Sequence, residues 1–220
     1  AAAGSINTID ELRFGSVGRP LPGVEMKIAA DGELLVRGPS VFQGYFKNEE
    51  ATRETLQDGW LATGDLGAID ADGFVSIIGR KKDLIITSSG KNISPSNLEN
   101  ALKQIRWVSE AVVFGDNRPY LVALLTLDPD EAPKLAEHLG IESDIAAMAH
   151  DPRVHDELAK EVDEVNAHFA RIEQIKRFAI LDRDLTQAGG ELTPTLKLKR
   201  NVVYGEFGDE FAALYEEPHS

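Results

Sequence analysis

The sequence predicts an α+β protein, with a β-rich first part and a mixed second part of strands and helices. Three observations predict it. Up to Arg80, short apolar runs alternate with turn dipeptides at hairpin spacing. Beyond Arg80, apolar residues recur at helical spacing. The change in composition near residue 80 marks a boundary, so the chain is expected to divide into 1–80 and 81–220.

The elements follow in order. Val24–Ile28 and Glu33–Val36 read as strands joined through Asp31-Gly32, and Asp72-Gly73 makes the next tight turn. Short strands at this spacing suggest a small barrel or sandwich. Beyond the boundary, Leu98, Ala101, Leu102 and Ile105 fall at i, i+3, i+4 and i+7, one buried helical face. Ser94 is placed to cap that helix, with Pro95 at its first position, where the missing N–H costs nothing. "VSEAVVFG" and "YLVALLTLD" read as two strands around Asp116-Asn117-Arg118-Pro119. Helices are expected in "DEAPKLAEHLG", stopped by Gly140, near Glu142–Ala149, and from Pro152 onward. In the last of these, Val154, Leu158, Val162, Val165, Phe169 and Ile172 form a stripe. "IKRFAILD" is a further strand, and Lys199–Tyr215 is helical with a Gly interruption.

Composition excludes several functions. The 220 residues are 42% hydrophobic and 27% charged, an ordinary soluble globular balance. No apolar run approaches the roughly 18 residues of a spanning helix, and the start carries no secretory signal. A cytoplasmic protein is expected, with peripheral membrane contact left open. Without cysteine there is neither a disulfide framework nor a thiolate metal site. The net charge is −14, and between Asp128 and Glu173 thirteen acids face four Lys or Arg. Such a surface repels a phosphate backbone, which argues against nucleic-acid binding. No phosphate-loop motif occurs, and the histidines lack metal-ligand spacing. The chain does not begin with Met and reads as a piece of something longer.

Three stretches can carry chemistry. In "DGWLATGDLG", Asp65 follows Gly64 and is expected on a turn, where a carboxylate can accept hydrogen bonds from a cis-diol such as a ribose. The alternative is a turn-capping Asp. In "GFVSIIGRKKDLIITSSGKNISPSNLE", two β-like runs flank Gly-Arg-Lys-Lys-Asp, not the Asn-Gly of an ordinary hairpin. Arg80 there can meet a ribose or phosphate while its neighbours form a hinge, or the turn can simply be solvated. In "GGELTPTLKLKR", Gly189-Gly190 suggests a mobile loop and Thr193-Pro194-Thr195 an extended lead-in. Lys197 and Lys199 would share a face in a strand, either as surface charges or as a point charge delivered to a distant site.

Taken together, "GELLVRGPSVFQGYF", "DGWLATGDLG", "GFVSIIGRKKDLIITSSGKNISPSNLE" and "LTPTLKLKR" resemble the carboxy-terminal part of the adenylate-forming ligases. The resemblance runs from about Phe14 to the last helix and is greatest to long-chain fatty acyl-CoA synthetases. It implies a mobile C-terminal α+β domain preceded by a β-rich, distorted-barrel remnant of the large N-terminal domain, with the hinge near Lys82. By the same resemblance Asp65 would bind the ribose of ATP with Arg80 in support, and the Gly90 loop would approach the pantetheine arm of CoA. Glu99 would be structural or support the hinge. Lys197 would be the adenylation lysine. Many family members carry Ser-Gly before that lysine where this chain has Thr195-Leu196, so Lys199 is the second candidate.

The implied reaction converts ATP, a fatty acid and CoA into acyl-CoA, AMP and pyrophosphate through an acyl-adenylate. Mg²⁺ would arrive with ATP and bind mainly in the missing N-terminal part, with no metal site in this chain. The chain alone is expected to be inactive. The alternatives are a piece of a fatty acyl-AMP ligase that loads a carrier protein, and a non-catalytic module whose acidic helices dock a basic partner.

Overall fold

Tight turns shape everything before residue 84 in the computed structural model, which describes residues 4–216. Those residues fall into two compact units that divide between Leu84 and Ile85. In the first unit, β1 (Ser5–Ile6) pairs with β2 (Arg19–Pro20). The hairpin of β3 (Glu25–Ile28) and β4 (Glu33–Arg37) turns at Asp31-Gly32, as its sequence predicts. Helix α1 (Glu49–Thr55) starts at Asn48, whose side chain accepts the Ala51 N–H at 3.0 Å. β5 (Leu56–Gln57), β6 (Trp60–Ile69) and β7 (Val75–Arg80) complete the sheet.

The long strand β6 organises that sheet. β4 lies along one edge of it, while β5 and β7 share the other, β5 against its start and β7 against its end. Two strands on one edge of a third make an open, branched sheet. Among the described residues the barrel expected from the sequence does not close. Its core is correspondingly small, with Leu34, Val36 and Val75 buried.

After β7 comes a single 3₁₀ turn, Lys81–Asp83. The Gly-Arg-Lys-Lys-Asp segment is therefore no hairpin turn. β7 pairs back to β6, whereas β8 (Ile85–Ile86) pairs forward to β9 (Asn92–Ile93).

The second unit continues through α2 (Pro95–Leu102), β10 (Val108–Phe114), β11 (Leu121–Leu127), α3 (Ala132–Leu139), α4 (Ile145–Ala149), α5 (Pro152–Asn166), β12 (Ile175–Ile180), α6 (Arg200–Glu206) and α7 (Gly208–Ala213). β10 and β11 are antiparallel across their short turn. β12 joins β11 in parallel, which the long connection through α3, α4 and α5 makes feasible.

β11 is buried at every position, and its alternation explains how. Ala123, Leu125 and Leu127 join the cluster formed with α2, α3, α4 and α5. Val122 and Leu124 join a second cluster on the other face, with Leu185, Val203 and Phe211. Each buried Leu contributes about 1.5–3 kcal/mol relative to exposure, so this unit carries most of the apolar stabilisation.

One helix end departs from the sequence reading. Asn166 ends α5 because its amide seals the start of β12: it donates to the Ile175 carbonyl at 2.9 Å and accepts the Ile175 N–H at 2.8 Å. Phe169 and Ile172, read as part of the α5 stripe, lie beyond that end. The Gly interruption expected between Lys199 and Tyr215 falls at Phe207, directly before Gly208, and separates α6 from α7.

Candidate functional site: a bulged acidic strand and an anchored lysine hairpin

Asp65 lies within β6, not on the turn expected for it. From Glu33 to Leu35 on β4, the partners on β6 run from Leu66 to Ala62, so β6 bulges there. Gly64, with φ of +73°, forms the bulge. Its N–H donates to the Glu33 carboxylate at 2.8 Å, and the Asp65 N–H donates to the Thr63 hydroxyl at 3.1 Å. The bulge re-aims the Asp65 side chain while the pairing with β7 persists. There Asp65 stands directly opposite Arg80, and the Arg80 Nε meets its carboxylate at 2.9 Å. The two predicted nucleotide contacts are thus brought together across one rung of a sheet.

The next cation has a different task, which the sequence reading missed. Lys81 reaches back to Asp31 at 2.6 Å and Glu33 at 2.9 Å. These hydrogen bonds, Asp31 first and then Glu33, push its ammonium pKa up to about 12. Asp31 is held below its ordinary value by the same bond and by the Glu33 N–H. Lys82 is exposed and makes no side-chain ion pair among the described residues. Of the three consecutive cations, Arg80 and Lys81 are tied to the sheet, and Lys82 carries no such tie among the described residues.

In the second unit, Gly90 sits in the loop Thr87–Lys91 between β8 and β9. Its N–H donates to the Thr87 carbonyl at 2.8 Å, and φ is +75°. Nothing lies within 4 Å of where a Cβ would stand, so conformation, not crowding, favours glycine there. Ser88 ties the loop down by donating to the Arg118 carbonyl at 3.0 Å.

Glu99 lies on α2, near Leu98 and Leu102 on its buried side. One carboxylate oxygen accepts the Val113 N–H at 2.9 Å, and the pair of oxygens takes the Arg200 guanidinium as a fork, with Nη2 to Oε2 at 2.8 Å. The two side chains are only 8% and 14% exposed. Burial works against the Arg200 charge, but the hydrogen bonds and charge of Glu99 outweigh it and hold its pKa above the ordinary value.

Arg200 begins α6 and follows the candidate lysines directly. Leu192 and Leu198 bridge as the two legs of a small hairpin. The Thr193 N–H donates to the Lys197 carbonyl at 2.8 Å, the Leu196 N–H to the Thr193 carbonyl at 2.8 Å, and the Lys197 N–H to the Thr193 hydroxyl at 2.9 Å. This is a tight turn in place of the extended lead-in. Gly189-Gly190 is likewise part of a hydrogen-bonded turn, with the Gly190 N–H on the Gln187 carbonyl at 3.1 Å. Lys199 shares no strand face with Lys197: it is the N-cap of α6, and its N–H donates to the Glu191 carbonyl at 2.7 Å. Lys197 is exposed near the turn, with no side-chain partner among the described residues. Leu196, beside it, has φ of +58°, the left-handed region, and is 64% exposed.

Asp65, Arg80 and Lys82 thus belong to the first unit, and Gly90, Glu99, Lys197 and Lys199 to the second. Glu99 is joined to the lysine hairpin through Arg200, a link between residues far apart in sequence. An acid on the apolar side of α2 was the one local sign of it.

This geometry has relatives. The chain is 44% identical to the long-chain-fatty-acid–CoA ligase FadD15 of Mycobacterium tuberculosis over 97% of its own length and 36% of that protein's. It is 35% identical to the human long-chain-fatty-acid–CoA ligase ACSBG1, covering 93% of this chain and 32% of that one. The chain therefore spans about a third of the length of the curated relatives it matches. Among solved structures, the O-succinylbenzoate coenzyme A synthetase of Bacillus subtilis in complex with AMP matches with a TM-score of 0.63 at 32% identity, over 86% of this chain and 35% of that one. The adenylation domain of a carboxylate reductase from Mycobacterium chelonae shares the fold, with a TM-score of 0.74 at 20% identity over 92% of this chain and 32% of its own. Residues 82–219 match the family described as AMP-binding enzyme C-terminal domain, and to that family the chain belongs.

Proposed function

We propose that the chain is the C-terminal part of a long-chain fatty acid–CoA ligase, and that Lys197 is its adenylation lysine. The observation that carries this reading is the backbone at Leu196. The motif's usual Ser-Gly before the lysine would put glycine at this position, and Leu196 adopts the left-handed conformation that favours glycine. That supports the register in which Lys197 follows the turn. Lys199, committed through its backbone to the start of α6, fits the role less well.

In the proposed reaction the fatty carboxylate attacks the α-phosphorus of ATP, forming an acyl-adenylate and releasing pyrophosphate. The thiol of CoA then attacks the acyl carbon, forming the thioester as AMP leaves. Lys197 supplies positive charge where negative charge gathers in the first step. Asp65, oriented by Arg80, accepts hydrogen bonds from the ribose hydroxyls. Lys82 is the hinge, and the Gly90 loop lies along the pantetheine arm. Mg²⁺ arrives with ATP; among the described residues no cluster of His, Asp or Glu could hold a metal ion. No helix of the described residues is long and apolar enough to cross a membrane. Fatty acid, ATP and CoA are the partners of the full-length ligase.

The test is Lys197→Ala in the full-length ligase, followed as fatty-acid-dependent ATP–pyrophosphate exchange and, separately, as thioester formation from supplied acyl-adenylate. Exchange is expected to fall by about 10²-fold or more, roughly 3 kcal/mol, while the thioester step survives. Undiminished exchange would overturn the assignment.

A further inference from the structure

We propose that Glu191 is the positioning residue of Lys197: a buried carboxylate that fixes the leg of the hairpin on which the lysine is presented. The inference rests on the assignment of Lys197 and extends it to a residue that never meets substrate.

Glu191 is 0% exposed, yet it lies between a Gly-Gly turn and an exposed hairpin. Every polar group of its side chain is used. One carboxylate oxygen accepts the Thr186 N–H at 2.9 Å, and the other accepts the Arg183 guanidinium at 2.7 Å. Its own carbonyl accepts the Lys199 N–H at 2.7 Å, just past the lysine. Arg183 in turn reaches Glu206 of α6 at 2.5 Å and lies over the Phe207 ring. Burial opposes the charge on Glu191, but the Thr186 and Arg183 hydrogen bonds overcome that and keep its pKa below the ordinary carboxylate value.

Gly189 shows that the carboxylate is built in. A Cβ there would fall within 3.0 Å of the Glu191 carboxylate, so any side chain at 189 would have to displace that carboxylate from its hydrogen bonds. On the far side of the lysine, Arg200 is held by Glu99. Both legs of the hairpin are therefore pinned by buried carboxylates, and the exposed, unpartnered Lys197 lies between them. A long, flexible ammonium acts as a point charge only where its backbone is fixed. Glu191 supplies that fixing on the N-terminal leg, with Arg183 as its charged partner.

The test uses Glu191→Gln, which keeps the shape and a carbonyl acceptor but removes the charge that holds Arg183. In this chain, amide hydrogen exchange reports the hairpin. Protection at Lys197 and Lys199 is expected to fall at least tenfold, with β11 and α5 unchanged. In the full-length ligase, adenylation turnover is expected to drop about 10–100-fold at unchanged KM for ATP, the scale of a ~1 Å misplacement, while thioester formation from acyl-adenylate is unaffected. Unmoved hairpin protection would overturn the proposal, as would a loss shared equally by both half-reactions alongside lower thermal stability. Lys197→Ala in parallel separates the two ideas. If it leaves adenylation intact, the lysine assignment fails and the proposal for Glu191 fails with it; if it collapses adenylation while Glu191→Gln leaves hairpin protection and turnover unmoved, the lysine assignment stands and the proposal for Glu191 alone fails.

Discussion

Two basic segments of this molecule use their cations in opposite ways. At Arg80-Lys81 both charges are spent inside the first unit, Arg80 on Asp65 and Lys81 on Asp31 and Glu33. At Lys197-Leu198-Lys199-Arg200, among the described residues, only Arg200 is spent, on Glu99, and the Lys197 side chain is left without a partner. The comparison separates cations that build geometry from a cation that is displayed by it.

The largest effect is expected from breaking a displayed segment's anchor. Arg200→Leu leaves the Glu99 carboxylate buried without its partner and should destabilise the second unit by about 3–5 kcal/mol, read from urea unfolding. A loss below 1 kcal/mol would show that the pair contributes little beyond a surface bridge.

Next comes the acid limb of stability. The Glu191 pKa lies below its ordinary value, so its contribution is present above the carboxylate range and is lost as pH falls through the folded-state value. Glu191→Gln should therefore be less stable than the parent at pH 7, with the gap closing in acid. A gap that widens toward acid has the wrong sign for this account.

A smaller effect sharpens the comparison at Leu196. Replacing it with Gly relieves a left-handed backbone worth about 1–2 kcal/mol and adds roughly 0.4–1 kcal/mol of unfolded-chain entropy. The net should be a modest gain, a Tm higher by roughly 2–4 °C at most. A lower Tm would mean that the Leu196 side chain makes stabilising contacts.

The smallest effect belongs to the spent cations. Lys81 should titrate near 12 by NMR, with its ion-pair contribution complete below the ordinary lysine pKa and lost as pH rises through that value. If Lys81 titrates like a free lysine, its bonds to Asp31 and Glu33 do not persist in solution.

Much of this was legible in the sequence, for physical reasons. The apolar face of α2, the Pro95 start, the Gly140 stop and the β10–β11 pair depend on residues close in the chain, so local patterning exposes them. α1 was invisible because it buries no residue and so has no apolar stripe. Among the described residues the barrel does not close because β3 pairs with β4 and with neither β5 nor β7, a matter of pairing that no local pattern records. Asp65 was placed on a turn because Gly64 signals a break, whereas here it signals a bulge within a continuing strand.

The candidate site divides the same way. Its residue types stood in recognisable motifs, but the supports did not. Glu99 and Arg200 are joined by a fork that no spacing rule reveals, and no motif singles out Glu191 beside Gly189-Gly190. What gives such residues away is an acid where the pattern calls for burial.

The most direct measurement sets Lys197→Ala beside Lys199→Ala in the full-length ligase, each followed as fatty-acid-dependent ATP–pyrophosphate exchange. The account predicts a loss of about 10²-fold or more for Lys197 and a much smaller one for Lys199, whose part is played by its backbone. A collapse at Lys199 with Lys197 indifferent would contradict it and move the displayed charge to the foot of α6.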